Sequence, residues 1–235
     1  MRLAPVVRWS ARAVVSLLLA MVVAVPPPAA GESPGAGSGR DEKFGQWTAE
    51  WWQWVLSLPV SDNPLFDETG ERAATAQPNK KVFYLVGVVN LSGTAERTIT
   101  IPEGTPLFGP VVNSENDNVF NDPPLTVPVL RQQVTDLIDT SSGFLILDGQ
   151  EMTADLVHRV QSPVFSYVLP AEDNIYQFFG VDVSGRIKPA ISDGYWFYIP
   201  PLSRGEHTLH FHGVIPGSLE LDIIYHINVV PPGGH

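Results

Sequence analysis

Three of the chain's six histidines fall within nine residues, GEHTLHFHG at 205–213, and a fourth follows in LDIIYHINVV at 221–230. Side chains alternate along a strand, so Thr208, His210 and His212 share one face while Leu209 and Phe211 share the other. In the second stretch Ile223, Tyr225, Ile227 and Val229 form the apolar face, leaving Asp222, Ile224, His226 and Asn228 opposite. A hairpin about VIPGS, residues 214–218, joins the two histidine-bearing faces in one of two registers. The first sets His212 opposite Asp222 and Thr208 opposite His226. The second sets His212 opposite Glu220, His210 opposite Asp222 and His226 opposite Glu206. Either brings imidazoles and carboxylates to within about 5–8 Å at Cβ.

That spacing suits a divalent metal held by His210, His212 and His226 with Asp222 as a further ligand. Imidazoles two residues apart stand on the same side of a strand, and a third from the neighbouring strand can converge on zinc at about 2.0–2.1 Å. Such a centre lowers the pKa of bound water to about 7 and supports hydrolase or lyase chemistry. Copper also fits imidazole ligands, and a set of two histidines and one carboxylate suits iron. The alternative is a solvent-facing strand pair whose histidines neutralise adjacent acids. LHFHG is similar to the His-x-His strand of α-class carbonic anhydrases and to the cupin signature, and departs from both. Only thirteen residues separate His212 from His226, and seven separate His212 from Glu220.

Two other groups offer ligand chemistry. NSENDNVFND, residues 113–122, reads as a loop of oxygen side chains just after a strand, and Asn113, Glu115 and Asp117 suit calcium, although the spacing matches no EF-hand. Trp52, Tyr195, Trp196 and Tyr198 are aromatic surfaces on which a sugar could stack.

The elements that position these groups follow from periodicity. FGQWTAEWWQWVLSLP, residues 44–59, places Phe44, Trp47, Trp51, Trp54 or Val55, and Leu58 on one helical stripe ended by Pro59, with Trp52 off the stripe. VFYLVGVV, residues 82–89, reads as a strand buried on both faces. RTITIP alternates, with Ile99 and Ile101 inward. TVPVLRQQVTDLID predicts a second helix with Thr126 as cap and Pro128 in the first turn. Asp148-Gly149 between apolar runs signals a hairpin. The remaining apolar segments recur every ten to fifteen residues up to the C-terminus. The fold class is therefore mainly β, an antiparallel β-sandwich or barrel of about 9–11 strands with an N-terminal helix and one inserted helix.

Composition sets the compartment. Arg2, Arg8 and Arg12 precede an apolar run at 13–25 and then small residues at Ala29, Ala30 and Gly31, the order of a secretory signal peptide. The reading is a signal at 1–30, a flexible leader at 31–40 and a single β-rich domain at 41–235. The protein is exported, periplasmic or secreted, with no membrane span after signal removal, since the apolar run falls short of the roughly 20 residues a spanning helix needs. Removal of the signal leaves 11 basic against 25 acidic residues, a net charge of −14. Such a surface repels nucleic acid and anionic lipid and favours cations or neutral ligands. Cysteine is absent from the chain, so stability comes from the core or bound ions.

The tryptophan-rich WWQWVLSLP, VFYLVGVV leading to IPEGTPLFGPVVN, and DGYWFYIPPLSRGEHTLHF together resemble a group of uncharacterised exported bacterial β-rich proteins. The resemblance implies export and a compact β-rich domain and carries no activity. Two functions follow as expectations: an acidic β-sandwich that binds a small-molecule or glycan ligand, carbohydrate or divalent cation, or a metal-dependent enzyme on the two C-terminal strands.

Overall fold

The computed structural model describes residues 39–90, 92–152 and 156–233. The stretch read as a signal peptide, most of the stretch read as leader, and His235 lie outside the described residues. Helix α1 runs Gly39–Ser57, with Asp41 and Glu42 in its first turn, where carboxylates complement the positive end of the helix dipole. It thus begins two residues inside the stretch read as leader. A 3₁₀ turn follows at Pro64–Phe66.

Among the described residues ten strands form two five-stranded sheets, and the sheets stay separate rather than closing into a barrel. The first contains β1 (Phe83–Tyr84), β3 (Leu107–Asp117), β6 (Val157–Arg159), β7 (Phe165–Leu169) and β8 (Gly185–Ile199). The second contains β2 (Thr94–Pro102), β4 (Ser142–Leu147), β5 (Gln150–Glu151), β9 (Gly205–Ile215) and β10 (Leu219–Val230). Most pairings are antiparallel, but β1 runs parallel to β3 and β2 parallel to β10, so both sheets are mixed. The inserted helix α2 spans Val127–Asp139 and buries Leu130, Val134 and Ile138. A four-residue helix α3, Ile175–Phe178, is closed by a capping box from Asn174 and Gln177.

Three layers result. Helix α1 covers one face of the first sheet through Phe44, Trp47, Trp51 and Trp54, packed with Phe108 and Trp196. The opposite face meets the second sheet through Leu107, Val111, Phe197, Leu209, Phe211, Ile223 and Tyr225. A bulge between Pro110 and Val112 shifts the register of β3, and beyond it Val112 and Ile191 pack under α2. The outer face of the second sheet has no helix on it, which gives β2 and β10 their strict alternation of buried and more exposed residues.

The buried run at 82–89 pairs with β3 only at its start, where Phe83 N donates to Pro106 O and Leu85 N to Phe108 O. Beyond them side chains take the backbone partners. Leu85 O accepts Trp51 Nε1, Val86 O accepts Arg97 Nη1 and the Tyr225 hydroxyl, and Gly87 O accepts Arg97 Nη2. The segment is apolar because it is interior, and irregular because a guanidinium and a phenol replace a neighbouring strand.

Candidate functional sites

The β9–β10 hairpin adopts the first of the two expected registers, with His212 opposite Asp222 and Thr208 opposite His226. Its imidazoles separate into different partnerships. His210 Nε2 lies 2.5 Å from Asp222 Oδ1. His226 turns the other way and lies 2.7 Å from Glu96 Oε1 on β2. The His212 ring stacks on Phe144 of β4 at 5.3 Å between centroids. The structure thus gathers His210, His212 and Asp222 on one patch and draws His226 off to Glu96. Among the described residues no three His, Cys, Asp or Glu side chains are grouped to hold a metal ion.

His207 sits on the inner-face side of β9, as alternation requires, and its Nδ1 pairs with Asp148 Oδ2 at 2.7 Å. The Asp148 hydrogen bond raises the His207 pKa above its ordinary value. Burial pushes the Asp148 pKa upward, but the hydrogen bonds from His207 and Thr208 outweigh it and hold that carboxyl below its usual range.

The stacking expectation needs correction at two residues. Trp52 is 5% exposed and Trp196 0% exposed, so neither offers a ring face to a ligand. Trp196 stacks on Phe108 and meets Trp51 edge-on, and Trp52 meets Trp51 edge-on. Trp52 stands off the stripe but inside, in the same core cluster as Phe165, Tyr167 and Leu169 of β7 and Ile175 and Tyr176 of α3. Tyr195 and Tyr198 are half-buried: Arg159 covers the Tyr195 ring, and Tyr198 packs on Phe44 and Trp47. The calcium expectation is also corrected in its setting. Asn113, Glu115 and Asp117 belong to β3 rather than to a loop, and both acids are buried.

A different concavity lies between α1 and β7. Burial of α1 on nearly all sides leaves a polar strip of Gln46, Glu50, Gln53 and Ser57 facing outward. With Trp47, Pro163, Val164, Phe165, Ser166 and Lys188 the first three of these line a groove of about 980 Å³. A second hollow of about 520 Å³ shares Glu50, Gln53 and Ser166 and continues toward Ser57, Tyr167 and Arg186. Glu50 is held in place, its Oε2 accepting the Tyr84 hydroxyl at 2.5 Å and Asn79 Nδ2 at 2.8 Å. Burial and Glu50 together raise the Tyr84 pKa. Gln53 Nε2 donates to Ser166 O at 2.7 Å, bridging the helix to the strand.

Comparison with protein-family models found no match, and comparison with curated proteins found none. Among solved structures the chain is similar to a cysteine protease inhibitor, EhICP2, from Entamoeba histolytica. The identity is 11%, over 63% of this chain and 97% of that one, with a TM-score of 0.22. It is similar to amebosin at 13% identity, over 58% and 96% of the two chains, with a TM-score of 0.21. Likenesses this distant carry no functional meaning.

The groove residues did not stand out in the sequence beside the tryptophans, yet a signal was present. Gln46, Glu50, Gln53 and Ser57 recur at spacings of four, three and four on an otherwise apolar helix, which marks the only face such a helix can leave in water.

Proposed function

We propose that this is an exported, non-catalytic binding protein whose ligand lies in the α1–β7 groove, and that the ligand is carbohydrate. The observation that carries the reading is the lining of the groove. Gln46 and Gln53 each combine an amide donor with an amide acceptor, Ser166 adds a hydroxyl, and Lys188 and Glu50 add opposite charges, all beside Trp47 and Phe165. Convergent polar groups around an apolar floor are the usual make-up of a small-ligand site, and a hydroxyl-rich ligand needs donors and acceptors together. Glu50 is the only acid among the lining residues of either hollow, whereas glycoside hydrolysis ordinarily uses a pair of carboxyl groups. That supports binding over cleavage. Export rests on the N-terminal charge and apolar pattern.

Calorimetric titration of the mature, tag-free chain with soluble cello-, xylo- and chito-oligosaccharides tests the proposal. Binding by one class, weakened about tenfold in Gln53→Ala, which is about 1.4 kcal/mol, is the expected result. No heat with any class contradicts it.

A second reading, metal-dependent hydrolase or lyase chemistry, draws on the gathering of His210, His212 and Asp222. Elemental analysis decides it: stoichiometric zinc, copper or iron that is lost in a His210→Ala, His212→Ala variant favours the enzyme.

A further inference from the structure

Glu115 is 2% exposed, and its Oε1 has no hydrogen-bond partner. Asp117 stands two residues along β3, on the same face, and is also 2% exposed. Both tyrosine hydroxyls in this part of the core go to Asp117, while the hydroxyl of Ser192, across the ladder from Glu115, is, like Glu115 Oε1, without a partner. The hydroxyls of Tyr167 and Tyr176 both donate to Asp117 Oδ2, the latter at 3.0 Å, and the Val119 amide donates to Oδ1 at 2.7 Å. No ion pair among the described residues includes either acid. The titratable groups facing the pair from neighbouring elements are Tyr167 of β7 and Tyr176 of α3, and Ser192 of β8 stands across the ladder from Glu115. Neither tyrosine supplies positive charge.

Two carboxyl groups this close in a dry interior cannot both ionise, because each lacks solvation and each repels the other. With both tyrosine hydroxyls and the Val119 amide committed to Asp117, and no cation beside either acid among the described residues, Glu115 is the member left to be neutral. We infer that the Glu115–Asp117 pair holds one proton in the folded protein at neutral pH, so that folding takes a proton from solvent and rising pH works against the folded state. Burial, and next the charge of Asp117, push the Glu115 carboxyl well above its ordinary value of 4.5. A group raised in this way contributes its full stability below its unfolded pKa, and the contribution is lost progressively as pH climbs toward the folded pKa. The weak point under alkali is the Tyr167–Tyr176 side of the core, where among the described residues a second negative charge meets no cation.

The test is thermal unfolding of the mature chain and of Glu115→Gln from pH 4.5 to 9, in buffer containing a calcium chelator. Glu115→Gln keeps the shape and cannot ionise. The expected result is a wild-type Tm that falls relative to the variant by about 3–5 °C per pH unit above about pH 4.5. Should the variant not fold, infrared spectroscopy of the wild-type chain gives the answer alone. A carbonyl stretch of a protonated, buried carboxyl group at pH 7, absent once the protein unfolds, supports the inference. Parallel Tm curves, or no such band, overturn it. So does a rise in wild-type Tm on adding calcium with loss of the band, which would assign the pair to a cation instead.

Discussion

Arg97 Nη1 donates to the Tyr225 hydroxyl at 2.8 Å across the two parallel strands β2 and β10, on faces turned into the core. The guanidinium is 1% exposed and spends its other donors on carbonyls: Nε on Asp67, Nη1 on Val86, and Nη2 on Pro64 and Gly87. A planar fork with five donors is suited to tying several carbonyls at once. It anchors the irregular segments around residues 64–67 and 86–87 to the second sheet. Those segments in turn support α1 through Trp51 Nε1 on Leu85 O.

Arg97→Met therefore removes a donor from four buried carbonyls, of which Val86 O keeps the Tyr225 hydroxyl, and leaves the acceptors behind, which is costlier than losing the bonds alone. The expected destabilisation is at least about 3 kcal/mol by denaturant titration, against about 1–2 kcal/mol for Tyr225→Phe. Equal effects of the two substitutions would show that the carbonyls find water instead.

Close approach of the two sheets depends on glycine. Gly143 of β4 pairs with Gly213 of β9 where both cross β3, and a Cβ added at Gly213 would lie 2.2 Å from Val111 O. Backbone cannot yield there as a flexible side chain would. Gly213→Ala should cost about 2 kcal/mol or more through displaced packing, whereas Gly104→Ala, with nothing within 4 Å of its Cβ, should cost only what its positive φ imposes. The comparison is read from the two urea midpoints.

His207 and Asp148 should titrate as partners. The Asp148 hydrogen bond raises the His207 pKa above 6.5, so its stabilising contribution is complete below that value and is lost as pH rises through the elevated folded pKa. The Asp148 pKa is lowered below 3.8, so its own contribution is present above that value and lost as pH falls through the folded pKa. The pair is strongest between the two. Because Asp148 is exposed, the gain is under about 1 kcal/mol. An NMR titration of the His207 ring should show the raised pKa returning toward 6.5 in Asp148→Asn. An unchanged His207 titration in that variant would assign the shift to the Ser203 contacts instead.

Periodicity and turn chemistry carried most of the fold. The second helix and the Asp148-Gly149 hairpin, with both turn residues at positive φ, follow from local pattern alone, and alternation narrows the register of β9 on β10 to two, of which the fold adopts the first. Three features do not follow from local pattern. The parallel pairing of β2 with β10 joins residues more than a hundred positions apart and leaves no local trace. Trp52 is buried in a core cluster shared with the distant β7, which the helical stripe cannot report. The histidines illustrate the same limit: alternation placed His210, His212 and His226 on one face, but the neighbour of His226 is Glu96, supplied by a strand whose place in the sheet was not legible. The α1–β7 groove was half-legible, since helix spacing isolates Gln46, Glu50 and Gln53 while the opposing Ser166 and Lys188 come from strands, and Val164 from the bend before β7, that meet the helix only in the fold.

The most direct test of the binding proposal locates the ligand. Amide chemical shifts of the labelled mature chain should be followed during titration with each oligosaccharide series. The expected outcome is saturable shifts confined to Gln46, Glu50, Gln53, Val164, Ser166 and Lys188 and their neighbours, with the outer face of the second sheet around His210 and His226 unmoved. Shifts centred on that histidine face, or none with any oligosaccharide, would contradict the account.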